Sequence, residues 1–173
     1  MYQDKDLSRR DFTKLIAYCR KSDAFQDAPF SFPFTFQAMD AAFPRSHFIL
    51  TVRASSDEWY RSLTHFHGKL FSDGRVPPTR ADLEAAHYIR KGRPWTMNRL
   101  LFDSPDDDPY ERETLIRHYE AHVYSVQQYF RHRPADLLVL DVSTPGAYQR
   151  LCSFLGEPAV ERDFPRLNPT NAL

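Results

Sequence analysis

Two short apolar runs, HFILTV at 47–52 and LLVLDV at 137–142, limit the architectures open to this chain. Each is continuous in hydrophobicity, the pattern of a parallel strand covered on both faces. Around them apolar residues recur at helical spacing. The order strand, helix, further helices, strand, helix predicts an α/β domain in place of a helical bundle. Strands are few for such a domain. Besides those two, only DAFQD at 23–27 reads as a strand, a brief one ending at Asp27.

The helical segments follow from spacing and caps. DLSRRDFTKLIAYCRKSD puts Phe12, Leu15, Ile16 and Cys19 on one face, with Ser8 as N-cap and Asp11 as its capping-box partner. FTFQAMDAAF is a second helix that Pro44 stops. SSDEWYRSLTHFHGKLF aligns Trp59, Leu63, Phe66 and Leu70 in one stripe; Ser55 or Ser56 caps it, and Asp57 and Glu58 suit its first turn. From about 72 to 109 the pattern is irregular. Thr79 caps a short helix, RADLEAAHYI, and GRPWTMNRLLFDSPDDDPY mixes breakers with apolar residues, as substrate-facing lids and insertions do. A long helix from about 110 to 133 ends at Pro134, and Gly156 closes a last helix, PGAYQRLCSFLG.

Composition removes several classes of function. The 173 residues suit one domain, 1–173. With 23 basic against 23 acidic residues, no nucleic-acid-binding surface is indicated. Cys19 and Cys152 sit in apolar helical patterns and read as core residues, outside any disulfide framework or metal cluster. His118 and His122 have metal-ligand spacing but no third ligand near them, so no metal is expected. No apolar run approaches the ~20 residues that cross a membrane. The polar start MYQDKDLSRRDF lacks a secretory apolar segment. The expectation is a soluble, cytoplasmic protein.

One residue stands out at a strand end. Arg53 follows HFILTV and points into the turn before a capped helix. Open α/β sheets bind ligands at the carboxyl ends of their strands. A guanidinium beside a helix N-terminus is suited to a phosphate or sulfate. The plain alternative is that Arg53 pairs with a surface acid such as Asp57.

Several stretches together carry a family resemblance: FQDAPFSFP, FPRSHFILTVRASSDEWYRSLTHFH, YEAHVYSVQQYFRHRPADLLVLDV, LCSFLGEP and FPRLN, running from about Phe12 to Asn168. Together they resemble bacterial sulfotransferases related to the cytosolic and Golgi enzymes, whose donor is 3′-phosphoadenosine 5′-phosphosulfate. The resemblance implies a P-loop NTPase-like three-layer α/β/α sandwich with a parallel sheet. It also implies metal-free transfer of a sulfuryl group to a hydroxyl or amine on a small-molecule or glycan acceptor.

It assigns residues as well. Arg53 and Ser62 match the pair that holds the donor's 3′-phosphate. Relatives place the serine where this chain has Arg61, and a one-residue shift turns a side chain by roughly 100° around a helix. A longer turn, ASSD, would compensate. Asp27, in the turn Asp27-Ala28-Pro29, matches the group that removes the acceptor's proton, a task suited by the raised pKa of a carboxylate in a partly buried cleft; the alternative is that it only caps a turn. His122 falls in a family pattern and reads as a structural hydrogen-bonding residue.

Family members begin with a strand and a loop rich in Lys, Gly, Ser and Thr around the 5′-phosphosulfate. The 173 residues hold five glycines and neither GxGxxG nor GxxxxGK. The chain therefore reads as shortened, without its first strand and phosphate loop. That strand would lie between HFILTV and LLVLDV, so its loss would bare an edge of each. Two alternatives stand beside catalysis: a non-catalytic remnant that binds 3′-phosphonucleotides, and, less favoured without a Walker loop, a kinase-like phosphotransferase.

Overall fold

A computed structural model describes residues 4–165 of the chain, so Arg166, Leu167 and Asn168 of the FPRLN stretch lie outside the described residues. In chain order the elements are α1 (Asp4–Ser8), α2 (Thr13–Cys19), α3 (Thr35–Ala42), β1 (Phe48–Thr51) and α4 (Ser56–Phe71). There follow α5 (Arg80–Ala85), β2 (His87–Tyr88), β3 (Arg90–Lys91), α6 (Arg93–Leu101), α7 (Arg112–Tyr129), β4 (Leu137–Leu140) and α8 (Ala147–Leu155).

The two apolar runs form the central pair. β1 and β4 run parallel with Phe48 opposite Leu137, Leu50 opposite Val139 and Thr51 opposite Leu140. Val52 continues the ladder, donating its N–H to the Leu140 carbonyl at 2.9 Å. This corrects the expectation of a strand position between them, because the two are direct neighbours. On one face Phe48, Leu50, Val52, Leu137 and Val139 pack with Phe36 of α3 and with Val123, Val126 and Phe130 at α7. Residues of alternate parity point the other way. There Leu140 is buried and α8 packs against β4, whereas Ile49 is 44% exposed. The described residues are thus an α/β arrangement with one full helical layer and a second layer that leaves part of β1 open.

Two further clusters complete the core. Leu15, Cys19 and Met39 gather Phe12, Ile16, Phe25, Phe30 and Phe43 around them. Leu83, Tyr110 and Leu115 pack with Trp59, Tyr60, Leu63, Phe71, Trp95 and Phe102. Both cysteines are free and buried.

Local structure departs from the sequence pattern in four places. The first helix is two, because Arg10 adopts a φ of 57° and Asp11 Oδ1 accepts the Thr13 N–H at 3.0 Å, starting α2 anew. DAFQD is no strand: Asp27 has a φ of 60°, and Phe25 stacks on Phe30 with ring centroids 5.0 Å apart in place of a ladder. RADLEAAHYI stops at Ala85 and its end folds into the β2–β3 hairpin, with Ile89 at a φ of 66°. GRPWTMNRLL, read as irregular, is α6, whose first turn accommodates Pro94 without losing a helical hydrogen bond.

The buried stripe of α4 is also rotated from its expected place. Phe66 and Leu70 are exposed, while Thr64 and Gly68 are buried. The loop after α4 turns back over Gly68, where a Cβ would sit 2.8 Å from the Arg75 carbonyl oxygen. Among the described residues no helix is long and apolar enough to cross a membrane.

Candidate functional site

The carboxyl end of β1 leads directly into α4. Ser55, extended at φ −151° and ψ 161°, caps that helix by accepting the Glu58 N–H at 3.1 Å. Between strand and cap lie Arg53 and Ala54. The guanidinium Nη2 of Arg53 donates to Ser62 Oγ at 3.3 Å. Arg61 is exposed. Ser62 is therefore the side chain that faces Arg53. Asp57 does not pair with Arg53 but with Arg112.

The main chain of Arg53 is anchored from the opposite side. Its N–H donates to Tyr119 Oη of α7 at 3.0 Å. Tyr119 stacks on Trp59 of α4, ring centroids 4.6 Å apart and planes 13° from parallel. Parallel pairing brings the end of β4 alongside. There Ser143 donates from both its hydroxyl (2.7 Å) and its N–H (2.9 Å) to Asp141 Oδ1. The Ser143 hydroxyl, helped by the Ser143 N–H and the Arg53 charge, holds the Asp141 carboxyl below its usual range against the opposing effect of burial. Sequence reasoning overlooked Asp141, although its place at the end of LLVLDV was the available signal.

Next to this strand end lies a cleft of about 620 Å³, bounded by β1, α4, α7 and the 25–33 loop. Aromatic side chains dominate its walls. Asp27 lines it, and the side chain is exposed at the cleft mouth, so the partly buried setting expected for this carboxylate is not what surrounds it. Arg53 and Ser62 are brought together by the fold, whereas Asp27 lines the cleft and neither of them does.

Two histidines of α7 also reach the cleft. His118 Nε2 accepts the Asp103 N–H at 3.3 Å. His122 corrects the sequence reading: its Nδ1 is buried without a hydrogen-bond partner, so it makes no structural hydrogen bond there. Burial lowers the pKa of its imidazole. Sequence spacing showed both on one helix face but gave no hint of the cleft. Among the described residues no group of three or more His, Cys, Asp or Glu side chains is arranged to hold a metal ion.

A family model described as a sulfotransferase domain matches residues 1–173. The chain belongs to the sulfotransferase family. No curated protein and no solved structure matches it. In this sulfotransferase domain one strand serves both halves of the site, since β1 lines the cleft with Ile49, Leu50 and Thr51 and then delivers Arg53 to the turn.

Proposed function

We propose that the protein transfers a sulfuryl group from 3′-phosphoadenosine 5′-phosphosulfate to a hydroxyl or amine of an acceptor held in the cleft. The observation that carries this is the Arg53–Ser62 contact at 3.3 Å, set at a strand end before a capped helix. A forked guanidinium, a hydroxyl and the positive end of a 16-residue helix together suit a dianion such as the donor's 3′-phosphate. Asp57, engaged by Arg112, does not neutralise that charge, and the carboxylate that feels it is Asp141 at the end of β4. The family resemblance and the parallel β1–β4 pair support a P-loop-like three-layer fold for the whole domain.

Each half of the site then has a task. Arg53 and Ser62 bind and orient the nucleotide, and the Tyr119 hydroxyl holds the Arg53 main chain still while they do so. The cleft walls exclude water from the acceptor. Asp27, at the mouth, takes the proton that the attacking hydroxyl or amine releases. Positioning and electrostatics dominate transfers of this kind, so small displacements of Arg53 matter. The resemblance assigns the 5′-phosphosulfate to a Lys- and Gly-rich loop that these 173 residues do not contain. The residues at hand therefore account for the 3′ side of the donor and for the acceptor.

Calorimetric titration with 3′-phosphoadenosine 5′-phosphate tests the reading. Binding that depends on the 3′-phosphate and weakens in Arg53→Ala supports it. Equal affinity for the nucleotide lacking that phosphate rejects it.

A further inference from the structure

The β1–β4 sheet has two outer edges, one covered and one open. Val52 donates its N–H to Leu140, so the residues of its parity, Phe48 and Leu50, turn their main-chain groups toward β4. Those of Ile49 and Thr51 point to the far side. So does the N–H of Arg53, which meets the Tyr119 hydroxyl there at 3.0 Å. Among the described residues this sheet holds only β1 and β4, so no strand lies along that side. The outer edge of β4, by contrast, is covered where Arg150 Nη2 donates to the Val139 carbonyl at 2.9 Å.

The open edge borders the cleft. Ile49, Thr51 and Tyr119 all line it, and Ile49 is 44% exposed. Two N–H and two C=O groups are thus presented there at an interval of about 6.6 Å, two residues of strand rise. Such a row is a template for another extended main chain, which repeats donor and acceptor at the same interval. The space of about 620 Å³ between β1, α4, α7 and the 25–33 loop has room for a few residues of one segment. A second copy carries its own β1 edge recessed in the same way, and two recessed edges do not meet.

We infer that the open edge of β1 takes an extended polypeptide segment as a third strand, paired through the main chains of Ile49 and Thr51. Treating that segment as the acceptor rests on the sulfotransferase reading; the pairing itself does not.

The probe is acetyl-Thr-Val-Tyr-Val-Thr-amide, whose side chains favour strands. In the free wild type the amides of Ile49 and Thr51 should exchange with solvent hydrogen faster than those of Leu50 and Val52, and saturating peptide should slow the first pair about tenfold or more. Two further peptides carry N-methyl groups, one on both valines and the other on the tyrosine. Alternate residues of an added strand turn their N–H toward β1, so calorimetry should find one of the two about tenfold weaker than the parent and the other within about twofold of it. Equal losses in both, unchanged exchange at Ile49 and Thr51, or no binding of the parent peptide overturns the inference. Protection of those amides that grows with protein concentration, without peptide, gives the edge to a second copy and overturns it likewise. Peptide pairing by a chain that ignores 3′-phosphoadenosine 5′-phosphate would sink the sulfotransferase reading alone, and the reverse result would leave that reading standing.

Discussion

Arg53 reaches across the β1–α4 turn to Ser62 Oγ at 3.3 Å while its own N–H is held by Tyr119 Oη at 3.0 Å. The side chain is thus aimed from the helix side and the main chain fixed from α7, so the guanidinium is oriented before any ligand arrives. Preorganisation of this kind reduces the ordering cost of binding.

Arg53→Ala should weaken binding of 3′-phosphoadenosine 5′-phosphate by about 1.5–3 kcal/mol, the worth of a hydrogen bond to a charged group. Ser62→Ala should cost less, about 0.5–1.5 kcal/mol. Calorimetry on both variants checks this. A larger loss in Ser62→Ala than in Arg53→Ala would contradict the assignment of the main charge contact.

Asp27→Asn should lower sulfuryl-transfer turnover by about a hundredfold or more while nucleotide affinity stays the same. The exposed carboxylate at the cleft mouth has no part in the Arg53–Ser62 contact. Steady-state kinetics beside calorimetry separates the two effects. Parallel loss of binding and turnover would assign Asp27 to structure.

His67 makes stability depend on pH. It is partly buried, its Nδ1 lies 2.7 Å from the Tyr110 hydroxyl, and desolvation pushes its pKa from 6.5 down to about 4. The folded state therefore favours the neutral ring. That contribution is fully present above pH 6.5 and is lost as the pH falls from there through about 4. Over that window it amounts to roughly 3 kcal/mol. Urea melts between neutral pH and pH ~4 should show a steeper loss for the wild type than for His67→Gln. Identical slopes would show that His67 titrates as it does in the unfolded chain.

Gly68→Ala should destabilise the domain by about 1–3 kcal/mol, a typical cost of forcing extra volume into a packed site. Its Cβ would meet both the Arg75 carbonyl oxygen and Val76 Cγ2 at 2.8 Å, and the former is backbone. Thermal or urea denaturation measures the loss. An unchanged midpoint would mean the 72–76 loop moves aside freely.

The sequence by itself determined the elements whose signals are local. HFILTV and LLVLDV carry strand composition, Ser55 and Thr79 carry cap chemistry, and Gly156 takes the left-handed conformation that ends α8, so each could be placed without knowing its neighbours. Arg53 stood out by its place at a strand end, whereas Ser62 was indicated only by the family resemblance, and the fold sets the two in contact.

Only the tertiary structure decided the rest. Whether β1 and β4 touch depends on pairing across a long separation in the chain, which composition does not encode. The inward face of α4 turned on the 72–76 loop covering Gly68, a contact outside the helix's own periodicity. DAFQD failed as a strand because a strand needs a ladder partner, and the aromatic side chains of that loop found one another first. The cleft with its unpaired His122 belongs to the same class. Burial is set by everything packed around a residue, so an imidazole that looks ordinary in the sequence loses its hydrogen-bond partner only when α3 and α7 close on it.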